Sequence, residues 1–268
     1  MDKYLEQNIK DIIAKYPGVG DILNEYKIGC TACAAGTCRL KDIVEIHNLP
    51  GEEEEKLMGR IALAISPKGG LKVPRSSRKA AAPSGGLKYS PPLKRLVDEH
   101  VLIKRLLALI PRFVASVDLR SEEGAELARG GLKFIRTYAD KYHHAKEEDI
   151  LFKYFDGELD VIKTMLQDHV TGRNHVKAAD EALAAKDGAA AAEHFLAYRE
   201  LLSEHIKKED EILYPWMDRN LSLKQVGELS NKFNEADEKF EPGLIAECEA
   251  VVTGLEKNLG AAEKSVKA

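Results

Sequence analysis

No apolar stretch of the chain approaches the roughly 18 residues needed to span a bilayer, so no membrane partner is expected. The start, Met1-Asp2-Lys3-Tyr4-Leu5-Glu6, lacks a basic-then-apolar secretory leader, and a cytoplasmic protein is expected. Cysteine is scarce. Four thiols among 268 residues are too few for a disulfide scaffold, and three of them crowd together. There is no basic excess either: Lys+Arg 40 against Asp+Glu 44 leaves a formal net charge of -4, which argues against a dedicated nucleic-acid binder. Aromatic residues make up only 6%, but 44% of the residues are hydrophobic and 31% charged, enough to bury a core under a solvated surface. No run alternates convincingly with period two, so no sheet is expected.

What is present is helical patterning on both sides of a tether. Residues 66 to 92 are dominated by Gly, Pro, Ser and Ala and carry six Lys or Arg without one acid, the composition of an extended linker. Before it, Leu5, Ile9, Ile12, Ile13 and Tyr16 recur at helical spacing until Pro17-Gly18 stops the run. Leu40, Ile43, Val44 and Ile46 form a second stripe, and after Pro50-Gly51 the acids Glu52 to Glu55 open another helix at the positive end of its dipole. After the linker, Leu93, Leu96, Val97, Ile103, Leu106, Leu107 and Ile110 give a long amphipathic pattern up to Pro111. The expected organisation is a small helical domain over 1–65, a basic linker over 66–87, a larger helical domain over 88–220 and a helical extension over 221–268. The fold class is all-α.

The larger domain contains an internal repeat. HHAKEEDILF from His143 matches HIKKEDEILY from His205 at an offset of 62 residues, sharing the first His, the Lys-Glu pair and the closing Ile-Leu-aromatic. Upstream, LKRLVDEH ending at His100 matches IKTMLQDH ending at His169 at an offset of 69. Each copy is therefore a helix hairpin with one His on its first helix and His-x-x-x-Glu on its second.

Residues four apart on a helix turn through about 400° and so share a face. His143 with Glu147, and His205 with Glu209, can then aim an imidazole and a carboxylate at one point. Two such helices, with two more supplying His100 and His169, make a four-helix bundle whose inner face offers four imidazoles and two carboxylates. That set suits iron, manganese or zinc. Taken singly, a Glu four residues from a His is also an ordinary surface pair; the duplication is what favours metal. His144 with Glu148 is a competing i, i+4 pair, and Asp210 is a rival to Glu209.

On these residues, DEH at Asp98-Glu99-His100, HHAKEEDILF, QDHVTGR from Gln167 and HIKKEDEILYP, the larger domain resembles the hemerythrin-like, or HHE cation-binding, family. The resemblance implies an up-and-down four-helix bundle holding two iron ions bridged by carboxylates and an oxo or hydroxo group. It implies His100, His143, His169 and His205 as terminal ligands and Glu147 and Glu209 as bridges. Oxygen-carrying members have a further His four residues after the third-helix His, where this chain has Arg173. His175 lies about 240° round the helix and is a poor replacement. By residue count the site is one protein ligand short, which favours reaction with small molecules or iron exchange over reversible oxygen storage.

In the small domain, Cys30, Cys33 and Cys38 give C-x2-C-x4-C, and Thr37 is placed to cap a helix whose positive end would activate Cys38. Three readings stay open: an iron–sulfur cluster with a fourth ligand such as His47, Cys248 or a partner; a redox dithiol; or inert loop packing. Cys248, on an apolar helix face, reads as core. The segment YPGVGDILNEYKIGC ahead of the thiols resembles the small Cys-bearing domain of iron–sulfur cluster repair proteins, although those carry adjacent cysteines.

The expectation is a di-iron protein binding or reacting with O2 or NO in redox or nitrosative stress response or sensing. Alternatives are an iron donor for damaged iron–sulfur clusters and a di-iron oxidase or reductase of O2, peroxide or NO. The implied partners are the gas itself and a redox or iron–sulfur client protein, with a homodimer as the assembly to test. Pro215 is expected to end or kink the ligand helix while Trp216 packs.

Overall fold

The computed structural model describes residues 1–26, 28, 39–41, 43, 49, 51–73 and 89–266, with side chains as far as 259. Among them the structure is helical, and the one extended pairing is an isolated bridge between Asn8 and Arg39. No helix among the described residues is long and apolar enough to cross a membrane. The chain divides into two compact units, the first comprising Met1–Lys88, Glu158–Thr164 and Ile212–Asn220, the second Tyr89–Gly157, Met165–Glu211 and Leu221–Ala268.

The first unit contains α1 (Asp2–Leu5), α2 (Ile9–Lys15), α3 (Gly18–Glu25) and α4 (Gly51–Ile65). Asn8 caps α2, its side-chain oxygen accepting from the Lys10 amide at 2.8 Å, and Pro17 separates α2 from α3. Ile9, Ile12, Leu23, Leu40, Ile43, Leu57 and Ile61 form a core with almost no exposure. Acids Glu52, Glu53 and Glu54 occupy the first turn of α4. Cys30, Cys33, Cys38, Thr37 and His47, and most of the linker, lie outside the described residues.

The second unit is built on α5 (Pro91–Ser116), α6 (Glu122–Phe134), α7 (Asp160–Ala184) from Met165 onward, and α8 (Gly188–Lys208). Two of these change winding where the site lies: α6 runs on into π-helical Ile135–His144 and Glu147–Leu151, and α8 into π-helical Glu209–Leu213. Local chemistry sets the ends. Ser121 caps α6 through the Gly124 amide at 3.0 Å, and Asp187 caps α8 through the Ala190 amide at 3.0 Å. Gly124 is required there, because a Cβ would lie 2.2 Å from the Asp118 carbonyl oxygen.

The amphipathic pattern of α5 was expected to stop at Pro111, yet the helix continues to Ser116. Proline removes one ladder bond, but the last turn buries Phe113, whose ring meets Phe195 edge-on at 6.2 Å, and this packing carries the helix past it. Beyond α9 (Tyr214–Asn220), which holds buried Pro215 and Trp216, the tail forms α10 (Leu223–Asp237) and α11 (Leu244–Val266). Cys248, Val252, Leu255 and Leu259 of α11 join the bundle core, and Arg105 of α5 pairs with Glu256 at 2.9 Å. Cys248 is thus a buried free thiol.

Candidate metal centre

Among the described residues the buried polar and charged side chains are Glu99, His100, His143, His144, Lys146, Glu147, Asp168, His169, His205 and Glu209, and no others. All of them gather at one level of the bundle. Two groups present ligand atoms within 4.8 Å of one another: His100, His143 and Glu209 in one, and His144, Glu147, His169 and His205 in the other. Every histidine and glutamate that the repeat singled out is therefore in one group or the other.

The contacts inside the groups are those of ligands facing a common point. His100 Nε2 lies 2.9 Å from His143 Nε2, and His169 Nε2 lies 3.0 Å from His205 Nε2. Glu209 spans the groups, with Oε2 3.3 Å from His100 Nε2 and Oε1 3.2 Å from His205 Nε2, in geometry that makes no hydrogen bond. Glu147 spans them from the other side: Oε2 is 3.8 Å from His143 Nε2 and 3.4 Å from His169 Nε2. Ligands about 2.1 Å from an octahedral ion stand about 3 Å apart at adjacent corners, and the observed separations match that spacing.

The outer face of each ring fixes its tautomer. His100 Nδ1 lies 2.7 Å from Asp210, His143 Nδ1 2.9 Å from Glu99, His169 Nδ1 2.7 Å from Glu148 and His205 Nδ1 3.3 Å from Asp168. An ionised carboxylate can only accept, so each ring, when neutral, carries its proton on Nδ1 and turns the Nε2 lone pair inward. In the metal-free chain His205 also keeps its Nε2 proton beside Glu209; once that proton is lost, two pairs of lone pairs face each other across about 3 Å. Without a cation between them they repel; with one they are ligands held from behind by carboxylates.

Each of those carboxylates is backed by a cation, and the pairs repeat. Lys104 meets Asp210 as Arg173 meets Glu148 at 2.6 Å; Lys146 meets Glu99 as Lys208 meets Asp168 at 3.7 Å. Exchanging the two copies, 69 residues apart on the His100 and His169 helices and 62 apart on the others, turns each pair of the first set into its counterpart in the second. The two rivals of the sequence reading, Asp210 and Glu148, thus sit behind the rings, and Arg173 braces Glu148 where a further histidine had been sought. His175 instead faces His194, Nδ1 to Nδ1 at 3.3 Å.

His144 breaks the symmetry, since its repeat counterpart is Ile206. Sequence spacing had made it an alternative to His143; the structure brings in both. The wider i→i+5 winding of Ile135–His144 turns successive residues through a smaller angle, so neighbours can share an inner face. The His144 ring stacks on His169 with centroids 3.9 Å apart, and supplies the fifth imidazole that residue counting had lacked. Asp237, in the tail to which no chemistry had been given, also reaches the site: it lies 3.1 Å from the buried Lys146 ammonium and accepts from the Tyr142 hydroxyl at 3.0 Å.

Burial and charge set the protonation. Burial, reinforced by His100 and His144, holds His143 well below the ordinary imidazole range, and burial with His144 pushes His169 down to about 3. Burial also opposes charge on His205, but Glu209 and Asp168 outweigh it and push it up to about 9. Glu209 is held well below the usual carboxylate range, its burial penalty exceeded by His205 and His100. Burial lifts Glu99 to about 7 against the pull of Lys146. Three of the groups are thus ready to bind a cation without losing a proton, while His205 must give one up.

Residues 92–217 match the Hemerythrin HHE cation binding domain family, and the chain carries a domain of that family over this stretch. Uncharacterized proteins of Mycobacterium bovis and of Mycobacterium tuberculosis are 25% identical over 175 residues, which is 62% of this chain and 69% of theirs. No solved structure matches it significantly. The family and the buried His and Glu groups together make this a metal-binding helical protein.

Proposed function

We propose that the protein is a cytoplasmic non-haem di-iron hemerythrin-like protein that binds or reacts with O2 or NO in redox or nitrosative stress. The carrying observation is the pair of opposed imidazoles, His100 with His143 and His169 with His205, spanned by Glu209 and Glu147. In this reading His100, His143 and Glu209 would hold one iron and His144, His169, His205 and Glu147 the other, with both glutamates reaching toward the two groups. The metal pair supplies redox and Lewis-acid chemistry toward a small gas. The chain's own residues do the rest. Asp210, Glu99, Glu148 and Asp168 hold each Nε2 inward and keep the rings basic, Lys146 and Arg173 balance Glu99 and Glu148, and buried Phe152 excludes water beside His169. The Cys30, Cys33 and Cys38 segment is assigned electron relay, redox sensing or iron hand-over to a client.

The test is metal and acid-labile sulfide content of anaerobically purified protein, with an optical spectrum before and after air. About two irons per chain without sulfide, and a new near-ultraviolet band in air, supports the di-iron reading and leaves the cysteines as thiols. Extra iron with matching sulfide adds a cluster in the small domain. Absence of stoichiometric iron in protein grown with ample iron overturns the proposal.

A further inference from the structure

The helices that carry His169 and His205 also meet away from the metal centre, through two further histidines. His175 on α7 lies about 9 Å along the helix from His169 and about 240° round it. His194 on α8 faces it, with Nδ1 to Nδ1 at 3.3 Å. The 69-residue offset of the repeat sets His175 opposite Leu106, a buried residue that lines an apolar cavity with Leu255 and Leu259 of α11. Packing alone asks for an apolar side chain at this position. The second copy places an imidazole there and meets it with another.

The geometry of the pair is not that of ring packing. The centroids are 5.5 Å apart and the planes tilted by 45°, so the rings do not stack. Neither ring has a carboxylate partner among the described residues, so no acid fixes its tautomer as Asp210 fixes that of His100. An N–H hydrogen bond closes to about 3.0 Å, and this contact is longer. Two nitrogens each about 2.0–2.1 Å from a tetrahedral zinc ion stand about 3.3–3.4 Å apart, and the pair has that separation. Burial, reinforced by His194, holds His175 below the ordinary imidazole range, so it meets a cation without a proton to lose. Both residues are half-buried, which leaves the other corners of the ion to water.

We infer that His175 and His194 bind one zinc ion through their Nδ1 atoms, with water completing its coordination. The ion clips α7 to α8, the helices that present His169 and His205 to the metal centre. The site stands on its own residues and does not depend on the di-iron reading.

The experiment is equilibrium dialysis of the metal-free full chain against buffered micromolar zinc, with the metal counted per chain. The centre and the thiols also offer zinc ligands, so the readout is a difference. His175→Gln and His194→Gln should each hold one zinc fewer than the unmodified chain and keep its helical circular dichroism. The double variant should lose no more than either single one, because the two rings share an ion. In crystals of the unmodified chain grown with zinc, anomalous scattering should peak between the two Nδ1 atoms, a result that needs no variant. The inference is overturned if either single variant holds as much zinc as the unmodified chain, if the two losses add, or if those crystals show no such peak. A chain that never retains iron, yet loses one zinc with each substitution, would uphold the pair and overturn the di-iron reading alone.

Discussion

The carboxylate of Asp210 lies 2.7 Å from Nδ1 of His100, behind the ring and not among the converging Nε2 atoms. Its neighbour Glu209 does the opposite, reaching between His100 and His205. Two adjacent acids thus have separable roles. Glu209→Gln should lower the iron held per chain at saturation. Asp210→Asn should keep the stoichiometry and weaken affinity by about 10–100-fold. Competition with a chelator of known affinity separates the two, and equal behaviour of the variants would remove the distinction.

His144 tests whether the two histidine groups are independent ion sites. His144→Ala should lose about one of the two irons and retain helical circular dichroism, because His100, His143 and Glu209 remain in place. His143→Ala should lose the other. Unchanged iron in His144→Ala would mean that its ring only stacks on His169.

The pH dependence of the metal-free chain follows from two histidines shifted in opposite directions. His169, down at about 3, costs stability once the unfolded chain begins to take up a proton, so stability falls as pH drops below about 6.5. His205, up at about 9, contributes fully below about 6.5 and loses its contribution as pH rises through 9. A maximum in thermal midpoint near pH 6.5 is expected with chelator present. Iron requires neutral His205 and should lift the alkaline limb. A flat alkaline limb without metal would contradict the His205 assignment.

Lys146 is almost wholly buried, with Glu99 and Asp237 against its ammonium and the Tyr142 ring 3.6 Å away. Lys146→Ala leaves Glu99 buried without its cation, a change that costs about 3–5 kcal/mol when such a pair is broken. Glu99 already sits at about 7, and losing Lys146 moves it higher, so a neutral carboxyl relieves part of the cost in acid. Denaturant titrations should therefore show a smaller loss at pH 6 than at pH 8. Equal losses would show that Glu99 stays ionised.

Much of this site was legible because duplication writes itself into spacing. His100, His143, Glu147, His169, His205 and Glu209 all converge, and each was named by its place in a repeated His and His-x-x-x-Glu pattern. The outer carboxylates and cations were in the same repeat, in register, but nothing local distinguishes an acid behind a ring from one on solvent. His144 and Asp237 were not legible. One depends on a change of winding that moves two adjacent histidines onto one face, the other on a tail helix that packs back onto the bundle.

By itself the sequence determined the helical class, the break at Pro17 included and the run of α5 past Pro111 to Ser116 excepted, and the converging donors other than His144, because 3.6-residue periodicity and i, i+4 spacing are properties of the chain alone. Only the tertiary structure decided which acid touches which nitrogen. That choice is made between helices, where Asp210 and Glu209, side by side in the chain, are sent to opposite faces of the same imidazole.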